Sequence, residues 1–185
     1  LRQWVCPIES IHVSSRGRFG NTLLKASDYR WPALGYVVEN AWLGNALIQQ
    51  LYREDRVELR CPAKVVGARL EGKAVALQLD GQGSHSRCTA GLLLVADGAN
   101  STLRHELGMA VDEKLYRQHA LVANIASAEA HVGCAYERFT DTGPLALLPL
   151  LGADGAENRS ALVWTLPAER AQHLRGCCEA EFLQA

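Results

Sequence analysis

The first part of the chain alternates hydrophobic and polar residues. In residues 8–14 apolar side chains stand between polar ones, and a turn at Arg16-Gly17 leads to a second such run over residues 19–24. A period of two is typical of a strand that buries one face. The pattern predicts an antiparallel pair of strands.

The period changes to four further along the chain. In residues 39–52, Leu43, Leu47 and Leu51 recur on one helical face, so we predict a helix there. Asn40 lies near the start of this helix, where it either caps the helix or contacts a ligand. Taken alone, its position favours capping.

Short alternating runs separated by turns follow the helix. We predict strands at 57–60, 63–70 and 75–79, with turns at 71–73 and 80–83, which together make a small antiparallel meander. Residues 91–96 are different because their apolar residues run without interruption. Such a run is typical of a strand covered on both faces in a parallel sheet.

The last third alternates again and predicts a second, curved antiparallel sheet. Its strands are expected at 120–125, 135–140, 145–150 and 160–164, with loops at 128–133, 141–143 and 152–158. Pro167 suits the first turn of a short helix, and residues 178–184 resemble the opening turns of an unfinished one. Since Leu1 is not a methionine, we expect an internal piece of a longer protein.

Composition narrows the class of protein. A chain of 185 residues, 48% hydrophobic and 21% charged, can form one domain, or one domain with part of another. The net charge of -1 and the scattered basic residues argue against a nucleic-acid partner. No apolar run approaches the roughly 20 residues that span a bilayer, and no secretion signal opens the chain, so the expected location is the cytoplasm.

Cysteine and histidine spacing gives no metal site. The six cysteines contain no CxxC pair and the six histidines no helical pair at i and i+4. We expect reduced thiols and no bound metal.

Candidate chemistry is concentrated where the predicted strand 91–96 ends in an Asp97-Gly98 turn and a helix begins, with Asn100 or Ser101 as its cap. Backbone amides at such a helix start suit the phosphate or ribityl oxygens of a nucleotide, and Gly98 lets a ligand approach the backbone. The alternative is a plain connection in which Asp97 bonds its own turn and Arg104 is solvated. From the residues alone, that alternative is favoured.

The segment also resembles a known fingerprint. Asp97, Gly98, Ser101 and Arg104 match the Asp-Gly motif of the class A flavoprotein hydroxylases, the para-hydroxybenzoate hydroxylase superfamily, although Leu92 and Val95 depart from it. The resemblance implies a flavin-monooxygenase fold of the α+β and α/β classes, in which an antiparallel substrate-domain sheet adjoins a parallel-strand edge of the flavin layer. It implies that Asp97, Gly98 and Arg104 bind flavin adenine dinucleotide (FAD), which NAD(P)H reduces.

Other stretches are similar to the ubiquinone-biosynthesis hydroxylases within that superfamily. They are residues 7–17, 35–40, 135–140 and 143–150. The resemblance implies that Asn40 faces the flavin and that Leu145, Leu147 and Pro149 belong to the floor beneath the flavin and the substrate, a prenylated phenol hydroxylated with O2. Core packing is the alternative expected for most of these leucines. Residues 1–109 are then part of the FAD layer and residues 110–185 are the substrate domain.

Two motifs of the family do not occur in this sequence: the opening GxGxxG turn and the later Gly-Asp motif. The nearest candidate, residues 81–86, lacks the third glycine and predicts a hairpin turn. We therefore expect the chain to be inactive by itself. No acid or base is nominated, since Tyr136, Glu137 and His131 have no supporting spacing.

Two other functions stay open. One is another flavoenzyme of the superfamily, such as an epoxidase or a halogenase. The other is a non-catalytic module that binds a lipid-like or quinone-like ligand in the curved sheet. Peripheral association with a membrane, or with a ubiquinone-biosynthesis complex, follows only from the implied substrate.

Overall fold

The computed structural model describes residues 2–81, 84–152 and 155–185, which form two compact units. Residues 1–50 and 116–185 make the first unit and residues 51–115 the second. The division expected from the sequence, at residues 109 and 110, differs because the opening strands pair with strands from the end of the chain. The assignment of these segments to a FAD layer and a substrate domain stays a prediction.

The elements follow the predicted order closely. The first half contains β1 (Cys6–Ile8), β2 (Ser10–Ser15), β3 (Asn21–Lys25), β4 (Gly35–Val37), α1 (Asn40–Leu51), β5 (Lys64–Glu71), β6 (Ala74–Gly81) and β7 (Ser84–Ala90). The second half contains α2 (Thr102–Glu106), β8 (Gln118–Ala126), β9 (Cys134–Thr140), β10 (Gly143–Leu150), β11 (Arg159–Pro167), α3 (Ala168–Gly176) and α4 (Glu179–Phe182). Short 3-10 helices span Arg2–Trp4 and Ala26–Tyr29. None of the helices in these ranges is long and apolar enough to cross a membrane.

A six-stranded sheet organises the first unit. Its strand order is β3-β2-β9-β10-β11-β8, and all neighbours are antiparallel except β2 and β9, which run parallel. The antiparallel pair predicted near the start and the antiparallel strands predicted in the last third are confirmed. The sequence did not predict that the hairpin of β2 and β3 joins the same sheet as the strands of the last third. A separate pair joins β1 to β4.

Helices α3 and α4 cover one face of this sheet. Every second residue of β11 points towards them, so Leu162, Trp164 and Leu166 are buried together with Ala171 and Leu174 of α3. The short helix predicted to start at Pro167 is confirmed, but it begins one residue later, at Ala168, and Pro167 is the last residue of β11. Burial of a leucine or similar side chain contributes about 1.5–3 kcal/mol, so this cluster contributes substantially to the stability of the first unit.

The second unit contains an antiparallel meander with strand order β5-β6-β7. Strands β5 and β6 match the prediction, but the third strand is β7 and not the strand expected at 57–60. Gly81 pairs with Ser84 at the end of the β6–β7 ladder, which confirms that Gly81 belongs to a hairpin rather than to a dinucleotide loop. Gln82 and Gly83 lie outside the described residues.

Two strands predicted in this unit do not form. Residues 57–60 and 91–96 carry no regular structure, and Leu92 and Leu94 remain 74% and 79% exposed. The prediction of a buried parallel strand at 91–96 was therefore wrong for this chain. A parallel strand needs neighbours on its edges and faces, and no described strand pairs with these residues.

The turn between β9 and β10 is tight. Gly143 has φ of 141° and pairs with Thr140, whose hydroxyl donates to the Gly143 carbonyl at 2.7 Å. A Cβ at Gly143 would overlap the backbone carbonyl of Thr165 on the neighbouring strand β11. Both the backbone angle and the lack of space require glycine here.

We expect Gly143→Ala to lower the free energy of unfolding by about 1–3 kcal/mol, the cost of a strained backbone. Gly44→Ala is the matched control. Gly44 lies inside α1 with open space at its Cβ position, so the same change there should raise stability by about 0.5–1 kcal/mol. Chemical denaturation measures both, and equal effects would contradict the role of Gly143.

Candidate functional site

The Asp97-Gly98 segment forms a sharp turn followed by the short helix α2. Gly98 has φ of 94°, which a residue with a Cβ adopts only under strain. Ser101 is the cap of α2: its Oγ accepts a hydrogen bond from the Arg104 backbone N–H at 3.0 Å, and its side chain is buried. The prediction that Asn100 or Ser101 caps this helix is confirmed, with Ser101 in that role.

The side chain of Arg104 also stabilises the turn. Its Nη2 donates to the Ala99 carbonyl at 2.6 Å, so the guanidinium folds back over the turn instead of extending into solvent. Two hydrogen bonds from Arg104, one through the backbone and one through the side chain, thus hold residues 99–104 in one conformation. Arg104, the arginine of the fingerprint motif, therefore stabilises the turn, and we call residues 97–104 the clasped turn.

Asp97 stands at the open end of this clasped turn. Its side chain is exposed, and none of the hydrogen bonds or ion pairs between the described residues involves its carboxylate. Beside it, the space where a Gly98 Cβ would lie is empty. The alternative in which Asp97 bonds its own turn is therefore not what the structure shows, and both groups are free to meet a ligand.

An open cleft adjoins the clasped turn within the second unit. Its volume is about 800 Å³ and its lining runs from Asn100 to Glu113, with Arg104 and His105 among the polar side chains and Met109 and Val111 among the apolar ones. A mixed lining of this kind suits a ligand with both polar and apolar parts.

Asn40 is the first residue of α1 and lies in the first unit. Its side chain is exposed and makes no hydrogen bond to a described residue. The first helical N–H groups instead reach the Glu39 carbonyl, from Trp42 at 3.0 Å and Leu43 at 3.2 Å. The prediction that favoured capping by Asn40 is thus not supported, which leaves the amide group available.

The three β10 residues expected beneath the flavin all point to the helix-covered face. Pro149 is fully buried, and Leu145 and Leu147 pack against the cluster around Trp164. Leu145 also lines a cavity of about 330 Å³ with Leu162 and Trp164. This packing agrees with the core alternative for the leucines, and a substrate contact by these residues stays a prediction.

The side chain of His131, which was considered as an acid or base, makes structural hydrogen bonds with both of its ring nitrogens. The ring is buried; Nε2 lies 3.1 Å from the Leu150 carbonyl, and Nδ1 accepts from the Gly133 N–H at 3.1 Å. Both nitrogens are satisfied if the proton sits on Nε2. The histidine therefore holds the loop before β9 against the end of β10.

Tyr136 and Glu137 are neighbours on β9 that point to opposite faces. Negative charge on Cys134 and a hydrogen bond with its side chain raise the pKa of the Tyr136 phenol above its usual value. The phenol is consequently neutral at physiological pH. Nothing in the geometry of this pair supports a proton-transfer role.

One feature of the site could not be found from the sequence. Glu39, directly before Asn40, pairs with Arg159 at the start of β11, 120 positions along the chain. Local periodicity carries no information about a contact at that separation. The only available signal was the placement of Glu39 at the start of a predicted helix.

The curated proteins that are similar in sequence include hydroxylases named for ubiquinone or a ubiquinol. The chain is 36% identical to the ubiquinone hydroxylase UbiL of Rhodospirillum rubrum over 152 residues, covering 75% of this chain and 33% of the relative. It is 32% identical to the 3-demethoxyubiquinol 3-hydroxylase of Escherichia coli over 165 residues, covering 89% and 40%. The chain therefore spans between about a third and two fifths of these relatives. It matches no protein-family model.

Solved structures share the fold. A p-nitrophenol 4-monooxygenase of Pseudomonas putida superposes with a TM-score of 0.75 at 15% identity, covering 99% of this chain and 45% of that one. A probable FAD-dependent monooxygenase of Pseudomonas aeruginosa gives 0.74 at 20% identity, covering 98% and 49%. The flavin-monooxygenase fold expected from the sequence is thereby confirmed, apart from the strand at 91–96.

The cap of α2 can be tested directly. We expect Ser101→Ala to destabilise the turn by about 1 kcal/mol, because the Arg104 N–H loses its acceptor, and Ser101→Asn to keep most of the stability. Amide hydrogen exchange of residues 98–106 measures the change. Faster exchange in Ser101→Ala but not in Ser101→Asn is the expected result, and identical exchange in both variants would contradict the capping role.

Proposed function

We propose that this chain, a homologue of the ubiquinone-biosynthesis hydroxylases with the fold of flavin-dependent monooxygenases, forms part of an FAD-dependent enzyme that hydroxylates a prenylated phenol. Its relatives are named for hydroxylation in ubiquinone biosynthesis. The parent protein would use NAD(P)H and O2. Because the chain matches only part of those relatives, we expect it to be inactive by itself.

The observation that carries the proposal is the clasped turn with an unpartnered carboxylate. Asp97 has no hydrogen-bonding partner among the described residues, while Ser101 and Arg104 hold the backbone around it in place. A preorganised acceptor next to a glycine with open space suits the hydroxyl groups of a nucleotide cofactor. The residues present therefore fit FAD at this edge.

FAD, when bound, supplies the electron transfer and oxygen activation that amino-acid side chains do not provide. In our proposal Asp97 accepts hydrogen bonds from the cofactor, Gly98 gives it access to the backbone, and Arg104 keeps the turn closed. Asn40 offers a neutral amide donor and acceptor to the flavin. These groups bind and orient; none of them moves a proton in the reaction.

The six-stranded sheet is the proposed support for the substrate. We infer that β10 forms its floor, with Pro149 and Leu147 filling the space behind the strand and Leu145 at the border of the cavity. An apolar floor excludes water and accommodates a prenyl chain. Peripheral association of the parent with a membrane or a ubiquinone-biosynthesis complex is a consequence we propose for such an apolar substrate.

Hydroxylation is favoured over halogenation as the reaction. A flavin-dependent halogenase shares the fold, with a TM-score of 0.70, but at 14% identity. The relatives at 30% identity or more include hydroxylases and ubiquinone-biosynthesis monooxygenases. Sequence identity at that level is stronger support for a shared reaction than a shared fold is, because one fold can serve many reactions.

Asp97→Asn tests the cofactor site in the full-length protein that carries this segment. Loss of a hydrogen bond to a charged group costs about 1.5–3 kcal/mol, so we expect the Kd for FAD to rise by roughly tenfold or more. Titration followed by flavin fluorescence measures it. Asp55→Asn, which changes an exposed carboxylate outside the turn, is the control and should leave the Kd unchanged.

The isolated chain provides a second measurement. Titration of the purified 185-residue chain with FAD should show neither stoichiometric tight binding nor turnover of NAD(P)H. Tight binding with turnover would contradict the expected inactivity. Binding of a prenylated phenol with no effect of FAD in the full-length protein would favour a non-catalytic lipid-binding module instead.

A further inference from the structure

The ion pair between Glu39 and Arg159 is unusually well shielded for this chain. Glu39 Oε1 and Arg159 Nη1 are 3.0 Å apart, and their side chains are only 26% and 32% exposed. In each of the other ion pairs between described residues, at least one partner is more than half exposed. Exposed pairs contribute little, whereas removal of one partner from a shielded pair is costly.

The pair joins two elements at their starting points. Glu39 immediately precedes α1, and its carbonyl accepts the first two helical hydrogen bonds, from Trp42 and Leu43. Arg159 is the first residue of β11 and pairs with Leu150, the last residue of β10. The ion pair therefore fixes the start of a helix against the end of a strand pair in the sheet.

Few other contacts hold this helix. None of the α1 residues is buried, and Leu47 and Leu51 of its predicted apolar face are 58% and 38% exposed. Trp42 also stacks in parallel on Trp4, with ring centroids 3.8 Å apart and an angle of 3° between the planes. Because the helix contributes only half-buried side chains to packing, the ion pair and this stack are specific restraints on the position of its first turn.

We propose that the Glu39–Arg159 pair is a positioning device for Asn40: it holds the first turn of α1, and with it the exposed amide of Asn40, at a fixed place relative to the β10–β11 strands. Neither charged group needs to touch the cofactor for this role. The positioning itself stands on the contacts above, and only its consequence for flavin rests on the proposed function.

The restraint is tested first by amide hydrogen exchange. In Glu39→Gln and in Arg159→Gln, exchange of the amides at residues 42–46 should become roughly tenfold faster, since local opening follows the loss of a charged hydrogen bond. Exchange in the β9 and β10 ladder should stay the same. Glu54→Gln, which removes the exposed partner of Arg56, is the control and should change neither region.

The reversed pair, Glu39→Arg with Arg159→Glu, separates the ion pair from general packing. If the charges hold the helix start, the reversed pair should restore slow exchange and the near-ultraviolet circular dichroism of the stacked Trp4 and Trp42. Slow exchange at residues 42–46 in both single variants overturns the proposal. Failure of the reversed pair to recover while Arg159→Gln stays folded and fast-exchanging also overturns it, because side-chain packing rather than charge would then hold the helix start.

The proposed effect of the ion pair on flavin binding is measured separately, in the flavin-loaded full-length protein. Each single variant should shift the visible absorption of the bound flavin and raise its Kd, and the reversed pair should restore both. If exchange at residues 42–46 changes while the flavin spectrum and Kd do not, the positioning role is supported and the place of Asn40 at the flavin is refuted. The Asp97→Asn titration remains a separate test of the proposed cofactor site.

Discussion

The parallel pairing of β2 with β9 is the contact on which the first unit depends. It brings residues 10–15 beside residues 134–139 and so attaches the opening hairpin to the sheet formed by the last third of the chain. Backbone hydrogen bonds from Glu9 to Gly133 and from Arg16 to Phe139, both at 2.8 Å, mark the two ends of the pairing. Without it, β2 and β3 would be an isolated hairpin, which is marginally stable in water.

The loop that enters β9 sets the register of that pairing. His131 ties this loop to the end of β10 through its ring and to Glu157 through its backbone N–H at 2.8 Å. Gly133 follows with φ of 69°, and Glu9 packs close to where its Cβ would be. A shift of one residue would turn the side chains of β2 to the opposite face. The buried histidine thus helps to fix the register of β2 against β9.

The two segments that we propose to bind the cofactor, one in each unit, are held by different kinds of interaction. The Asp97-Gly98 turn is closed locally, by hydrogen bonds that span five residues or fewer, and its conformation is a property of that short segment. The start of α1 is held by a long-range ion pair and an aromatic stack, and little apolar burial supports it. Local bonds preorganise the acceptor, whereas the position of Asn40 depends on the integrity of the whole first unit.

The sequence by itself determined the local elements and the family. The helix at α1, the strands of the last third, the meander and the Ser101 cap follow from periodicity and turn chemistry, because these depend on neighbours a few residues apart. The resemblance of Asp97, Gly98, Ser101 and Arg104 predicted the flavoprotein hydroxylase superfamily, and other stretches, at 7–17, 35–40, 135–140 and 143–150, predicted the ubiquinone-biosynthesis relatives. Only the tertiary structure decided that β2 joins β9, that Glu39 meets Arg159 and that residues 91–96 form no strand. Each of these outcomes depends on which partners are present across large sequence separations, and no local pattern encodes a partner.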